Sequence, residues 1–367
     1  MHNPIYNRGM KILVAMSGGV DSSVVAHRLK DEGHDLIGVM MKLWVDPLAP
    51  EVRRALPTKC CSIEHINRAR SVCNSLDMPF YVMNLEEDFK TEVVDPFIED
   101  YRNGKTPNPC INCNRDLKFG RLIEKMKELE CDKLATGHYA QVFQDDMGVC
   151  HLHEAADLPK DQSYYLYGLS QDVLQSVVFP LGGLQKSETF ALAQSYDVPM
   201  NSDYRESQDL CFFPEKEPTA FLQRYITDSR SGDIRLETGE VVGTHKGLPF
   251  YTIGQRKGLG IGGLSIPLHV TKKESETNTL YVTQSGKDFS DSLSAESLRW
   301  IHSEPATNTD LPFNARISSH GEKIEGIGSY DGKTLTFRFK KGLRGIASGQ
   351  SIVLYLGNEV LGGGVII

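Results

Sequence analysis

A strand that stops in two glycines and resumes at once as a helix leaves few choices of fold. Lys11 to Leu29 reads KILVAMSGGVDSSVVAHRL. Ile12 to Met16 is an apolar run, and Ser17-Gly18-Gly19 ends it. Ser22, Val25, Ala26 and Leu29 then fall at i, i+3, i+4 and i+7, one face of a helix. Strand, glycine turn and helix together aim unpaired backbone N–H groups at an anion. Gly18 and Gly19 let the chain pass close to a phosphate that side chains would obstruct. Ser17, Ser22 and Ser23 add hydroxyl donors, and Asp21 offers oxygen to Mg²⁺.

No Lys-Ser or Lys-Thr follows the glycines, so the Walker pattern is excluded. SGGVDSS instead resembles the PP-loop of ATP pyrophosphatases. That resemblance implies a cradle for the β- and γ-phosphates and attack at the α-phosphate. A substrate oxygen is then adenylated and pyrophosphate leaves. The loop alone does not identify the acceptor.

The rest of the first half extends the same architecture. Leu36 to Met41 is a second buried strand, and two strands around one helix imply a parallel sheet. Met41 lies at the carboxyl end, where ligands sit; it either just ends the strand or offers its backbone to an adenine edge. Cys60-Cys61-Ser62 reads as a turn leading into a helix with Ile66, Ala69, Cys73 and Leu76 on one face, or as a metal-binding pair, for which adjacent cysteines are poorly spaced around one ion. Phe80 to Met83 is a third strand. Lys133 to Gly137 is a fourth, and Gly137 permits close approach to a nucleotide. His138 follows, as a substrate contact or a structural histidine. Lys160-Asp161-Gln162-Ser163-Tyr164 suits RNA backbone and ribose, or else starts a helix with Asp161 or Ser163 as cap. Lys186-Ser187-Glu188 reads as a helix cap.

Two stretches carry thiols. In Lys105 to Asn114, KTPNPCINCN, the prolines predict a stiff exposed loop, and Cys110 and Cys113 form C-x-x-C before a helix with Phe119, Leu122, Ile123 and Met126 on one face. A thiol near a helix N-terminus has a stabilised thiolate, which makes Cys113 reactive or metal-ligating. No second C-x-x-C or His pair completes a zinc site. Ser207 to Pro214, SQDLCFFP, places Cys211 in an apolar segment, as core or as a partner brought to Cys113 by folding. Eight cysteines scattered through 367 residues read as reduced thiols, not a disulfide scaffold. With no apolar run near the roughly 20 residues of a membrane span and no signal-peptide core at the N-terminus, the expectation is a cytoplasmic protein without membrane attachment.

From about Pro214 the texture changes to short strands and glycines. Gly247 to Gly263, GLPFYTIGQRKGLGIGG, reads as turns of a small β domain and lacks the spacing of a dinucleotide fingerprint. From about Ser294, alternating strands at Thr334–Phe339 and Ser351–Tyr355 suggest a small β-barrel. The net charge of −8 counts mildly against nucleic acid, but Arg299, Arg316, Lys323, Arg338, Lys340, Lys341 and Arg344 give that barrel a local supply of cations, as a solvated surface or as an RNA platform.

SGGVDSS, MKLW, KCCS, TPNPxxxCN, LATGHYA, KDQSYYL, SQDLCF and HKGLPFYTIGQRKGLGIGG occur here in that order. As a set they resemble the bacterial tRNA-specific 2-thiouridylase family, from about Lys11 to Ile367. The resemblance implies an α/β fold: a doubly wound parallel-sheet PP-loop catalytic domain (1–213), a central β-rich domain (214–292) and a C-terminal β-barrel that binds tRNA (293–367). It implies ATP-dependent 2-thiolation of the wobble uridine in tRNAs for lysine, glutamate and glutamine, by a monomer that takes persulfide sulfur from a cysteine desulfurase or sulfur-relay protein.

Roles follow motif by motif. Ala15, Met16, Ser17, Gly18, Gly19, Val20, Asp21 and Ser22 would hold the phosphates of ATP with Mg²⁺, and Met41 and Gly137 would contact the nucleotide. Cys211 would carry the persulfide, with Cys113 as its partner nucleophile. Asn108, Pro109 and Cys110 would face the uridine. His138, Lys160, Asp161, Gln162, Arg316, Ile317 and Gln350 would touch tRNA. One departure stands out: many members carry Asp where this chain has Cys110. That removes a carboxylate base and adds a thiol, so Cys110, Cys113 and Cys211 become three candidate ligands for a [4Fe–4S] cluster with one open iron. The competing reading is a PP-loop amidating or ligating synthetase acting on a small molecule, which would not need Cys113 and Cys211.

Overall fold

The computed structural model describes residues 9–50, 63–199, 210–262, 267–284 and 289–367. The Cys60-Cys61-Ser62 turn, Ser207 to Asp209 and Gly263 lie outside them. The first half runs β1 (Lys11–Ala15), α1 (Val20–Asp31), β2 (Asp35–Lys42), α2 (Ile63–Ser75), β3 (Phe80–Asn84), α3 (86–102), α4 (109–128) and β4 (Lys133–Ala135). A hairpin of β5 (Gln141–Gln144) and β6 (Cys150–His153) follows, then α5 (Gln171–Ser176), β7 (Val177–Val178) and α6 (Lys186–Ser195).

The sheet β3-β2-β1-β4-β7 is parallel throughout. Its strands alternate between two buried faces, as a sheet covered on both sides must. Leu13, Ile37 and Val39 pack with Phe119, Leu122, Ile123 and Met126 of α4. Ile12, Val14, Leu36 and Met40 pack with α1, Ala69 and Cys73 of α2, and Ala193 of α6. The fold is therefore doubly wound. Strand order reverses between β1 and β4, which opens a crevice at their carboxyl ends, the usual ligand position in such sheets.

After α7 (Thr219–Tyr225) come β8 (Gly232–Leu236), β9 (Val241–His245), β10 (Leu268–Glu274) and β11 (Thr279–Gln284), a small sheet in the order β10-β11-β8-β9. Ile234, Val270, Leu280 and Val282 form its core with Leu248 and Tyr251. The last segment holds β12 (Ser290–Trp300), β13 (Asp310–Arg316), β14 (Ile324–Tyr330), β15 (Leu335–Leu343), β16 (Ser351–Leu356) and β17 (Glu359–Ile366). Pairing of β12 with both β15 and β17 closes these into a barrel.

One pairing crosses the linear segmentation. β6 joins β17, Glu359 standing opposite His153, so a hairpin of the first domain extends the barrel's sheet. Among the described residues no helix is long and apolar enough to cross a membrane.

Candidate active site

β1 delivers the chain to the crevice, where Met16 N–H still bonds the Val39 carbonyl at 2.8 Å. The turn then closes on its own hydroxyls. Ser22 Oγ accepts from Ser17 N–H at 3.1 Å and donates to Gly19 O at 3.1 Å, and Ser23 Oγ donates to the same carbonyl at 2.9 Å. Gly18 has φ +69°, and a Cβ there would lie 2.2 Å from the His65 carbonyl oxygen of α2. Gly19 is the N-cap of α1 and brings no side chain to its first turn, so the N–H groups stay available to an anion. Gly137, just past β4, packs so closely that a Cβ would lie 3.2 Å from Asp21 Cβ. The loop and the end of the fourth strand are thus two walls of one crevice, a fit for a polyphosphate and its nucleoside.

Asp21 does not fit as a magnesium ligand in this arrangement. Its two carboxylate oxygens lie 2.7 and 2.9 Å from Lys186 Nζ, with the Tyr139 hydroxyl 3.2 Å from Oδ1. Lys186 heads α6 and is almost wholly buried. The neighbouring cap exists as read, but Gln185 is the N-cap and Glu188 completes its capping box, leaving Lys186 to reach back into the loop. Nothing in local spacing pointed to this; the pair joins residues 165 positions apart in the chain, on two helices that pack against each other.

His138 stands beside this wall. Its Nδ1 lies 2.7 Å from Thr136 Oγ1, and its ring contacts Phe119 and Phe179 at centroid separations of 5.5 and 5.9 Å. Desolvation by these neighbours, helped by the positive charge of Lys118, pulls its pKa down to about 3. The imidazole is neutral at physiological pH and offers hydrogen bonds rather than charge.

The second part of the site starts at Asn108, the N-cap of α4, with Pro109 as its first residue. The prolines do not hold an extended loop through this stretch. A proline at the first helical position lacks only an N–H that would be unpaired anyway, and its φ suits the helix. Cys110 therefore sits in the first turn, where the helix dipole acts. Cys113 lies one turn further on, 5% exposed, opening a π-helical stretch to Arg121. The helix dipole therefore acts more strongly on Cys110 than on Cys113. At this spacing the two side chains share a helix face.

Cys113 belongs to a cluster with Leu43, Phe89, Phe97, Phe212 and Phe213, and Cys211 packs against that same cluster together with Met41 and Trp44. Folding thus carries both cysteines to one apolar patch that also touches the end of β2. The Cys211 segment is held there by two anchors. Asp46 N–H donates to Phe212 O at 3.2 Å, and Arg224 bonds buried Asp46 and Glu215 at 2.8 and 2.9 Å.

Of the remaining predicted contacts, Ile317 and Gln350 lie where the three units meet. Thr106 N–H donates to Ser348 O and Gln350 Nε2 donates to Thr106 O, both at 2.8 Å, tying the segment before α4 to the barrel. Ile317 and Gln350 line a cleft of about 530 Å³ with Thr106, Thr252 and Arg344, and a second of about 880 Å³ runs from Thr106 to Arg256 and Lys257. Lys160 and Gln162 are partly exposed; Gln162 Oε1 accepts from Tyr139 N–H at 3.0 Å. Asp161 and Arg316 are instead brought to each other. Arg316 Nη1 lies 2.8 Å from Asp161 Oδ2 and Nη2 2.9 Å from Glu154 Oε1, all three side chains being nearly inaccessible. Asp161 also caps the short turn after it, accepting from Ser163 N–H at 3.2 Å.

Family models match in tandem: "tRNA methyl transferase HUP domain" over residues 10–215, "tRNA methyl transferase PRC-barrel domain" over 219–284 and "Aminomethyltransferase beta-barrel domain" over 290–366. The chain is 41% identical to the tRNA-specific 2-thiouridylase MnmA of Symbiobacterium thermophilum, covering 97% of this chain and 92% of that protein. It is also 41% identical to the namesake of Carboxydothermus hydrogenoformans, over 97% of each. Among solved structures, the U34-tRNA thiolase NcsA from Methanococcus maripaludis, with its [4Fe-4S] cluster, aligns over 60% of this chain and 68% of its own at 17% identity and a TM-score of 0.35, too distant to bear on chemistry.

Proposed function

Since the chain belongs to the tRNA-specific 2-thiouridylase family and is a tRNA-uridine 2-sulfurtransferase, we propose the following division of labour among its residues. Ala15 to Ser22 hold the phosphates of ATP, and Met41 and Gly137 bracket the nucleoside. Asn108 to Cys110 face a wobble uridine pulled from its stack, while Lys160, Gln162, Ile317 and Gln350 bear on tRNA. His138 contributes as a neutral hydrogen-bonding group, and Asp161 and Arg316 act on tRNA through the seam they hold.

The chemistry turns a poor leaving group into a good one. The uridine O2 attacks the α-phosphorus of ATP and pyrophosphate departs. The terminal sulfur of a Cys211 persulfide, supplied by a cysteine desulfurase or sulfur-relay protein, then bonds C2. The C2–O bond breaks and AMP leaves with that oxygen. Cys113 thiolate attacks Cys211 Sγ, the bond from Sγ to the transferred sulfur breaks with its electron pair going to that sulfur, which stays on C2 as the thiocarbonyl, and a Cys113–Cys211 disulfide remains for an external thiol to reduce. The observation that carries this reading is the single apolar patch shared by Cys113, Cys211 and the end of β2.

A second reading rests on Cys110, one turn before Cys113 on the same helix face. The three thiols 110, 113 and 211 suit a [4Fe–4S] cluster, which when bound would supply an open iron for inorganic sulfide. In that case the chain's own residues only ligate and exclude water.

The test is nucleoside mass spectrometry of tRNA for lysine, glutamate or glutamine after incubation with ATP and a sulfur source. 2-Thiouridine is expected with wild type and absent with Cys113→Ser or Cys211→Ser. Turnover of a small-molecule acceptor by the double variant would favour a PP-loop synthetase instead. Iron and sulfide assays on anaerobically purified protein separate the two sulfur routes, and activity retained by metal-free protein removes the cluster.

A further inference from the structure

The seam between the hairpin and the barrel carries a group of side chains that the thiolation chemistry does not use. His151 projects from β6, His302 lies just past the end of β12, and Glu359 opens β17. His151 Nδ1 is 2.6 Å from Glu359 Oε1, and His302 Nε2 is 3.0 Å from the same oxygen. One donor atom from each residue lies within 4.8 Å of the other two. The imidazoles are not stacked flat: their centroids are 5.0 Å apart and their planes tilted by 55°. Two nitrogens from different elements therefore converge on one carboxylate oxygen.

A second observation concerns the far side of each ring. His151 Nε2 faces Asp145 Oδ2 at 3.5 Å, and His302 Nδ1 faces Ser303 Oγ at 3.3 Å. Asp145 is itself fixed, its Oδ1 accepting from Met147 and Val149 N–H at 2.9 and 2.8 Å. A carboxylate on the outer nitrogen is the arrangement that sets tautomer and orientation for a metal-bound imidazole.

The geometry points to a divalent metal site of the zinc class formed by His151, His302 and Glu359. Two imidazoles and one carboxylate suit zinc, whereas magnesium and calcium take oxygen ligands throughout. Donors around a tetrahedral zinc ion sit about 3.4 Å apart at bond lengths of about 2.1 Å, so each nitrogen would move outward from the Glu359 oxygen it now faces at 2.6 or 3.0 Å. The side chains are 27%, 26% and 20% exposed, which gives an ion access from solvent and leaves water as the fourth ligand. His151 comes from the catalytic half of the chain and the other two from the barrel, so the ion would staple the two units.

The experiment is zinc binding to the full-length protein after chelator treatment, by calorimetric titration with zinc chloride and X-ray absorption at the zinc edge. Thiols elsewhere in the chain also bind zinc, so the readout is the equivalent with a nitrogen and oxygen shell. Wild type is expected to take up one such equivalent and to gain thermal stability with it. His302→Ala, at an exposed position, and Glu359→Gln should each lose that equivalent while keeping any sulfur-bound zinc. Asp145→Asn should bind it roughly 10–100-fold more weakly. Absence of a nitrogen- and oxygen-coordinated equivalent in wild type, or its retention at unchanged affinity by both His302→Ala and Glu359→Gln, overturns the site.

Discussion

The Lys186 ammonium sits 2.7 and 2.9 Å from the Asp21 oxygens, at the helix start proposed to receive the phosphates of ATP. A bare carboxylate there would repel phosphate; one neutralised by lysine does not. Lys186→Met therefore leaves Asp21 charged and unmatched. Loss of one partner from a buried pair costs about 3–5 kcal/mol. Asp21 is 29% exposed, so water recovers part of that, and a cost of about 1–3 kcal/mol is expected. The KM for ATP should rise at least about tenfold, and Asp21→Asn added to Lys186→Met should recover part of both losses. Thermal unfolding and pyrophosphate release on the two single variants and the double variant check this. His138 acts at the same scale. With a folded-state pKa of about 3 against about 6.5 unfolded, the folded form holds the ring neutral while the unfolded chain protonates it. The stability tied to this neutral ring is complete above about pH 6.5 and drains away as pH falls toward 3, at no more than about 1.4 kcal/mol per pH unit. His138→Gln should flatten the stability–pH curve below pH 6.5 relative to wild type, as read by urea denaturation; identical slopes would refute the assignment.

At the scale of elements, the strand–turn–helix unit works because one residue in it can hold φ +69° with no side chain. Gly18→Ala must both strain the backbone and push a methyl against the His65 carbonyl, 2.2 Å away. A loss well above 1 kcal/mol is expected, with ATP binding abolished before the fold is. Gly19→Ala is the control. Its backbone is extended and its Cβ would meet only Ser17 Oγ at 3.3 Å, so stability should hold. Isothermal titration with ATP and thermal melts distinguish the two. This unit was legible in the sequence because its signals are local: apolar period, glycines and the helix face all lie within Lys11 to Leu29. The parallel strands and the buried face of α4 were legible for the same reason. Pro109 was misread because proline forbids a helix interior but favours a helix start, and only the register of the following turn tells which applies. Lys186, Asp46 and Arg224 were not legible at all. Their partners lie across the fold, and no period or spacing records a contact that only tertiary packing creates.

For the whole molecule, the question is how a barrel holds its place against a catalytic domain when, in the proposed function, both bear on one tRNA. The buried chain of Asp161, Arg316, Glu154 and Lys323 spans that seam, with Arg316 shared between the two carboxylates and its guanidinium 5.4 Å from the Tyr355 ring centre. This placement changes what a substitution should do. An arginine that simply touched phosphate would be replaceable at little cost to stability, and its loss would lower the salt dependence of tRNA binding by about one counterion. An arginine between two buried carboxylates cannot be removed so quietly. Arg316→Met strands both charges, and a cost of about 3–5 kcal/mol is expected. The loss should appear first at the seam, where Ile301, Val353, Tyr355 and Val360 of the barrel share a hydrophobic core with Tyr164, Leu166 and Tyr167 of the catalytic domain. ATP affinity should survive, since every element of the crevice, β1, α1, β2, α2, β4 and α6, belongs to the first domain. The affinity for tRNA should fall while its salt slope stays that of wild type. Denaturant unfolding, ATP titration and tRNA binding at several salt concentrations on this one variant separate the outcomes. A stable protein with a reduced salt slope would make Arg316 a direct tRNA contact and leave the seam to other residues.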